Sequence, residues 1–575
     1  MEKNNIYQQI SNPRDTVEIN LPNNRVLSGP RGGKLIDFLK VLPEWKSPPI
    51  VGAVVDGDLR ELTFPVQKDV MVRPVTMVDS DGSKIYRRSL TFLLETVFES
   101  QFPNNYLTID YSVPNGGYFC RVLDRSPLNN MEINLLINQM KAMVKSDLPF
   151  LREQVTKEEA IEYFIQQHHQ DKARLLKYRQ KPYLVLYRLN NHRDYHHGYM
   201  VPSTGFLQWF DLIPQSGGFL LQYPRRQTPT ELFRMPEYSK LLEEFKEYGD
   251  WLAKLRIDSV GALNESIEKK SIREVILVSE AHHEQKIVQI AQEIAHQSEE
   301  IKVILIAGPS SSGKTTFSKR LAIQLLTLGI SPFALEMDNY FVDRDKTPRD
   351  DHGQLDFENF NAIDRELLQH HLEEMIIGRE VELPIYNFQT GNRERGEIIK
   401  LDKDQIVIIE GIHGLNPNLL SNFSKTTTYK IYISCLTQLN LDRYNRISTT
   451  DTRMIRRIVR DANSRGFSAQ RTIQMWESVR RGERTHIFPY QENANVLFNS
   501  ALVYELSALK TYAEPLLRQI PHGTDEYLEA KRLLSFLEWF LPIQSELVPD
   551  NSILREFIGG SILKDFRLWE NTHDN

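Results

Sequence analysis

Cysteine is nearly absent from this sequence: among 575 residues only Cys120 and Cys435 carry thiols, far apart and outside any C-x-x-C spacing. That excludes a disulfide framework and argues against a structural zinc site. Long apolar runs are missing as well. No uninterrupted apolar stretch approaches the ~20 residues that a bilayer-spanning helix needs, and the opening MEKNNIYQQISNPRD has no apolar core of a secretory leader. The expectation is a soluble, cytoplasmic protein with no membrane partner. An excess of charge of either sign is lacking too. Lys and Arg total 70 against 76 Asp and Glu, a net charge of -6, so nothing global favours binding to nucleic acid, and only a local basic patch stays open.

What is present is core material. The chain is 41% apolar and 25% charged, with 27 Phe and 23 Tyr, near the averages of globular proteins. Its length exceeds what one hydrophobic core usually organises, and predicts two to four domains. Five segments can be drawn. Residues 1–80 hold short β-rich runs (TVEINL, PIVGAVV, VMVRPVTM) around the helical stretch GKLIDFLK, a small α+β module. Residues 84–230 form a second α+β module. It opens on the helical SLTFLLETVFESQF, continues through strand-like YLTIDYSV and GYFCRVL and a helix from Met131 to about Ser146, and later carries a capping-box pattern, Thr156 with Glu159. Residues 231–297 are charged and helix-prone and read as a connector. In 298–505 apolar runs (KVILIAG, PFALEMD, QIVIIEG, KIYIS) alternate with amphipathic helices, the signature of a parallel sheet covered by helices. Residues 506–575 are a mainly helical tail for packing or oligomerisation, with no chemistry assigned to it and a homo-oligomer left open.

The strongest motif lies at the start of the fourth segment. Gly308, Pro309, Ser310, Ser311, Ser312, Gly313, Lys314, Thr315 and Thr316 fit G-x-x-x-x-G-K-[ST], directly after the buried-strand run VILIA and before the helix TTFSKRLAIQLLTLG. Glycines let backbone N–H groups turn inward, the helix start adds positive potential, Lys314 reaches the outer phosphates, and the Thr315 hydroxyl is a ligand for Mg2+. These are parts for binding ATP. A phosphate loop does not say where the phosphate goes, so an acceptor-side base and a second acid must be found. Asp338 ends the run PFALEM, where a parallel sheet puts it at its carboxyl edge, and is the candidate base; a helix cap is the plainer alternative. Glu410 ends QIVIIEG and is the candidate to support Mg2+, against a solvated turn residue. The helix RMIRRIVRDANSRG offers Arg453, Arg456, Arg457, Arg460 and Arg465 as cations to close over a moving phosphate, against a solvated basic face.

In order and spacing, GPSSSGKTT, DNYF, DFENFNAID, LPIYNF followed by Arg393, IIEGIHGL and RRIVRDANSRG resemble the uridine kinase and phosphoribulokinase group of P-loop kinases, over about residues 302–504. The resemblance implies an ATP-dependent kinase, in which Asp338 removes the proton from a nucleoside 5′-hydroxyl. It also implies that Asp356 and Tyr386 contact the nucleoside, with Arg393 beside them, and that Arg457, Arg460 and Arg465 act in a lid. Three departures bear on specificity. Gly391 stands where the group has histidine in YDF-x-x-H, Phe467 replaces the second arginine of E-R-G-R, and Met475 with Trp476 takes the place of a Gln-Tyr pair. Losing those donors and acceptors weakens readout of a pyrimidine edge. Another sugar or small alcohol as acceptor stays open.

The N-terminal half, from Thr16 to about Thr230, resembles the start of threonyl-tRNA synthetases: a ubiquitin-like TGS module followed by an editing-type domain. YRRSLTFLLETVF, SDLPFLREQVTKEEAIEYF and YRLNNHRDYHHGYMVPSTG carry the likeness. The hydrolytic residues of that family are missing. Its H-S-x-x-H is Arg88-Ser-Leu-Thr-Phe92 here, and its D-x-C-x-G-x-H is Asp194-Tyr-His196-His-Gly-Tyr-Met200. Editing chemistry is therefore not expected. His192, His196 and His197 lack an evident carboxylate or cysteine at ligand spacing, which speaks against a metal site. Binding is the expected use of this half, with a tRNA end, a nucleotide effector and the kinase domain all open as partners. The competing reading of the whole chain is an ATP-binding regulator or RNA-binding protein. The expected fold class is an α/β P-loop kinase domain, a parallel sheet with helices on both faces, preceded by α+β TGS-like and editing-like domains.

Overall fold

The structure, a computed structural model, describes residues 14–235, 239–349, 353, 355–387, 389–402 and 404–566. Residues 1–13 of the first module, 236–238 of the connector, Phe388 of LPIYNF and 567–575 of the tail lie outside the described residues. Among those described, no helix is long and apolar enough to cross a membrane, and Cys120 and Cys435 are buried free thiols.

In the first module the strand Thr16–Leu21 alternates strictly, burying Val17, Ile19 and Leu21, so one face of the sheet is apolar. The sheet runs Arg25–Pro30, Thr16–Leu21, Val70–Thr76, Ile50–Val55, Asp58–Arg60 and packs the helix Leu35–Leu39 through Leu35, Phe38 and Leu39. The second module is organised by the 22-residue helix Ser80–Gln101, longer at its start than the apolar pattern predicts. A four-stranded sheet is ordered Asp211–Gln215, Gly218–Gln222, Gly117–Leu123, Tyr106–Val113, and a three-stranded one runs His192–Asp194, Tyr183–Leu189, Leu151–Thr156. The Thr156 hydroxyl accepts from the Glu159 amide at 3.1 Å, the N-cap half of the expected capping box.

The third domain, residues 298–505, is built on a wholly parallel sheet in the order Ser331–Glu336, Gln405–Glu410, Val303–Ala307, Thr428–Ser434, Val496–Asn499. The first four strands follow from the apolar runs. The fifth, VLFN, is too short to announce itself. Val303–Ala307 is buried throughout: Ile304 and Ile306 pack with the helices Ile272–His296 and Lys314–Thr327, and Val303 and Leu305 with the helix Arg365–Ile376 on the other side. Helices thus cover both faces. A two-stranded hairpin, Val381–Asn387 with Asn392–Ile399, stands apart from this sheet; polar NRERGEII carries no strand pattern.

The connector is integral to the third domain. Its helices Ser239–Leu255, Val260–Glu268 and Ile272–His296 contribute Ile287, Ile290 and Ile294, buried in the same core as the sheet. Burial of each such side chain contributes about 1.5–3 kcal/mol relative to leaving it exposed. The tail joins the same core through Leu533, Phe536, Ile553 and Phe557.

Candidate active site at the phosphate loop

The strand Val303–Ala307 brings the loop to the carboxyl edge of the sheet. Gly308 is required there by close approach: a Cβ would lie 2.0 Å from the Ile433 carbonyl oxygen. Ser311 (φ 58°) and Gly313 (φ 87°) take the left-handed conformation, turning the chain into the helix Lys314–Thr327 with its amides inward. Carboxylates meet the loop from three sides. Glu410 Oε1 accepts from the Thr315 hydroxyl at 3.0 Å, Glu483 Oε1 accepts from the Ser310 amide at 3.0 Å, and Glu556 Oε2 accepts from both the Thr316 amide and hydroxyl at 3.2 and 3.0 Å. Among the described residues the buried hydroxyls of Ser311 and Ser312 find no hydrogen-bond partner.

Electrostatics mark the same spot. Burial raises the Asp338 carboxyl above its usual range, opposed by Lys314, reinforced by Glu336, and opposed again by Arg465. Burial pushes Glu410 up to about 7 against the pull of Lys314, with Glu556 adding to the rise. Glu358 is also pushed up to about 7, by burial and then Glu483, with Lys314 and Arg457 opposing. These acids therefore share one field with Lys314. The sequence reading missed Glu358, Glu483 and Glu556. Glu358 sits inside the quoted DFENF and was within reach; Glu556, some 240 positions from the loop, had no sequence signal.

Of the five arginines proposed to close over phosphate, two do something else. Arg453 and Arg456 are wholly buried. Arg453 donates to the Ser310 carbonyl at 2.9 Å and pairs with Glu483; Arg456 pairs with Glu505 at 2.6 Å and donates to the Ser500 carbonyl at 2.8 Å. They support the loop from behind. The other three surround buried Asp461, with Arg457 at 3.2 Å, Arg460 at 2.9 Å and Arg465 at 3.7 Å. Arg457 also donates to the Ser310 hydroxyl at 2.7 Å.

Tyr386 is buried, its amide donating to Asn339 Oδ1 at 3.2 Å and its ring meeting Phe341 and Phe357 edge-on. Asp356, beside Phe357, accepts from the Glu358 amide at 3.2 Å. Arg393 pairs with Asp364 at 2.8 Å. Gly391 closes the hairpin at φ 77°, where a Cβ would fall 2.5 Å from Arg344 Nε, so histidine does not fit here without moving Arg344. Phe467 lies under Arg471 at 4.0 Å, Met475 is exposed, and Trp476 packs below Arg453 at 5.5 Å.

In the second module Arg88 and His197 face a cavity, while Phe92 and Met200 are core residues. The carboxylates that the histidine run lacked come from elsewhere in the fold: Glu95, His192 and Asp194 converge. They belong to a buried ion network, His196 to Glu95 at 3.0 Å, His192 to Glu99 at 2.9 Å and Lys172 to Asp194 at 2.6 Å. Residues of the third domain close it, Asp442 accepting from Tyr195 at 2.7 Å and Arg443 meeting Asp171 at 2.8 Å.

A parallel sheet with helices on both faces, a glycine-turned phosphate loop at its carboxyl edge and acids facing the loop lysine define a P-loop protein of the kinase type. The chain belongs to the phosphoribulokinase/uridine kinase family: that family's model matches residues 303–507, and a uridine kinase of Ligilactobacillus salivarius is 30% identical over 186 residues, 32% of this chain and 78% of that one. A uridine kinase of Brevibacillus brevis is likewise 30% identical, over 31% and 75%. The N-terminal region matches threonine--tRNA ligases; that of Thermotoga maritima is 26% identical over 238 residues, 40% of this chain and 36% of the ligase. The chain thus spans about a third of the length of the ligases it matches.

Proposed function

We propose that the C-terminal half transfers the γ-phosphoryl group of ATP to the hydroxyl of a small metabolite, a nucleoside 5′-hydroxyl first among candidates. The observation that carries this is the grouping of Asp338, Glu410 and Lys314 around one phosphate loop, with coupled electrostatics. The loop amides and Lys314 bind the phosphates. Asp338, its basicity raised by burial, accepts the hydroxyl proton as that oxygen attacks phosphorus and the bond to the ADP oxygen breaks. Arg457, Arg460 and Arg465 offset charge on the moving group. Thr315 and Glu410, an adjacent hydroxyl and carboxylate, form a hard-oxygen donor set suited to Mg2+, which when bound neutralises phosphate charge. Asp356, Tyr386 and Arg393 line the acceptor side. The uridine kinase relatives favour a nucleoside, and the hairpin turn at Gly391 favours a base readout different from the one the histidine pattern implies.

The test is ATP consumption by the purified chain with Mg2+ against nucleosides and sugars, products identified by mass, with Lys314→Ala as blank. A nucleoside 5′-monophosphate is expected. A second reading, an ATP-binding regulator, is favoured by one feature: Glu556 takes the Thr316 amide and hydroxyl, donors that a phosphate would also use. ATP binding without any phosphorylated product would put that reading first.

A further inference from the structure

Between the N-terminal half and the kinase domain lies a cavity of about 1330 Å³, large enough for a metabolite-sized ligand. Its walls come from the helix Ser80–Gln101, the strand bearing Tyr118, the segment from Tyr223 that follows the strand Gly218–Gln222, the loop before the helix Thr449–Arg465, the helix Ala469–His486 and the tail helix Asp525–Leu537. Eleven basic side chains line it, ten of them arginine, against four carboxylates. Those four are engaged. Asp451 and Glu529 both hold Arg532, at 2.7 and 2.6 Å, Glu477 holds Arg226 and Arg484 at 3.1 and 3.2 Å, and Glu492 accepts from the Lys240 amide at 3.2 Å.

Arg87, Arg88, Arg225 and Arg446 line the cavity without an ion pair among the described residues. Arg225 donates to the Asn115 carbonyl at 3.5 Å and lies over the Phe233 ring. Arg87 donates to the Ser83 carbonyl at 3.1 Å and lies over the Tyr223 ring. Arg88 donates to the Tyr199 carbonyl. Arg446 donates to the Ile447 carbonyl at 2.8 Å and lies over Tyr118, its buried Nε without a partner. Burial pushes Arg88 down to about 10, with Tyr187 and Tyr118 opposing and Arg532 and Arg87 adding repulsion. His197 is driven down to about 3 by burial and then by Arg88 and Arg532. For both groups, neighbouring arginine charge adds to the effect of burial.

We propose that this cavity is a second ligand site, separate from the phosphate loop, that binds a small phosphate-bearing molecule between the two halves of the chain. Ten arginines to one lysine favour phosphate, whose oxygens the planar guanidinium fork grips in pairs. A dianion or more negative ligand answers several of these guanidinium groups at once. The site also abuts the kinase machinery: Arg453 and Arg480 line the cavity, and both reach Glu483, the carboxylate on the Ser310 amide.

The test uses the full chain carrying Lys314→Ala, so that the phosphate loop is disabled. Inorganic tripolyphosphate, ATP and a single-stranded RNA oligomer are titrated calorimetrically. One site for tripolyphosphate or ATP is expected, weakened at least about tenfold in Arg88→Gln/Arg446→Gln and unchanged in Arg395→Gln, a substitution on the exposed hairpin. Hydrogen exchange on the Lys314→Ala chain provides a measurement independent of how the double variant folds. Ligand should protect residues 84–92 and 444–450. No binding, binding indifferent to the double substitution, absence of that protection, or binding of RNA alone would each overturn the proposal. Loss of kinase activity in the chain without Lys314→Ala bears on the loop alone and leaves this outcome separate.

Discussion

The phosphate loop and the ion network of the second module are both charge clusters, and they handle charge in opposite ways. Around Lys172 every strong charge has a partner at contact distance: Asp194 at 2.6 Å and Asp442 at 3.6 Å flank the ammonium, and Glu99 and Glu95 take His192 and His196. Burial depresses His192, and its bonds to Glu95 and Glu99 more than reverse that, to about 10. Around the loop, acids are pushed the other way by burial, Glu410 and Glu358 to about 7. A cluster that satisfies its charges is a joint; one that leaves carboxylates strained beside donors aimed inward is built to receive something. The Lys172 network joins the N-terminal half to Asp442 and Arg443 of the kinase domain, so the two halves share a buried, ion-paired contact.

Five substitutions sharpen or break this contrast. The largest effect belongs to the loop: Lys314→Ala and Asp338→Ala each lower turnover by about a thousandfold or more, with Asp338→Ala still binding ATP; steady-state kinetics with ATP titration decides, and an active Asp338→Ala chain ends its role as base. Next is the joint. Lys172→Met strands Asp194 and Asp442 without their cation and costs about 3–5 kcal/mol of stability, read by urea denaturation, whereas a change under 1 kcal/mol would mean the network is not structural.

Glu358→Gln separates the two regions by pH. A carboxyl raised from 4.5 to about 7 on folding stabilises fully below pH 4.5, and that stability is lost as pH rises through 7. Melting temperatures of variant and parent should agree below pH 4.5 and diverge above it, the variant becoming the more stable by on the order of 1–3 kcal/mol above pH 7. The smallest effect is expected of Glu556→Gln, which weakens the side chain's hold on Thr316 and lowers the KM for ATP by roughly two- to fivefold, about 0.4–1 kcal/mol; an unchanged KM would make Glu556 a packing residue.

Much of the kinase sheet was legible because its strands are buried on both faces and read as continuous apolar runs bounded by Gly and Asp. The loop was legible because its glycines and its strand–helix context are local. Val496–Asn499 and the polar strand Asn392–Ile399 were not, having neither length nor alternation. The split among the five arginines was hidden for a different reason. Arg453, Arg456, Arg457, Arg460 and Arg465 look alike along a helix, yet only the packing of Glu483, Glu505 and Asp461 determines which brace the loop and which stay near its opening. Likewise the partners of His192 and His196 lie about 100 positions away, on one turn of a helix read only as apolar.

Local sequence by itself determined the order of modules, the parallel sheet, the phosphate loop and the acids Asp338 and Glu410 at strand ends, since each depends on residues close in the chain. Tertiary structure alone decided that the connector and tail belong to the kinase core, that Glu556 reaches Thr316, and that arginines from both halves face one cavity. Those are contacts between segments hundreds of residues apart, set by how buried surfaces and charges are shared once the chain has closed on itself.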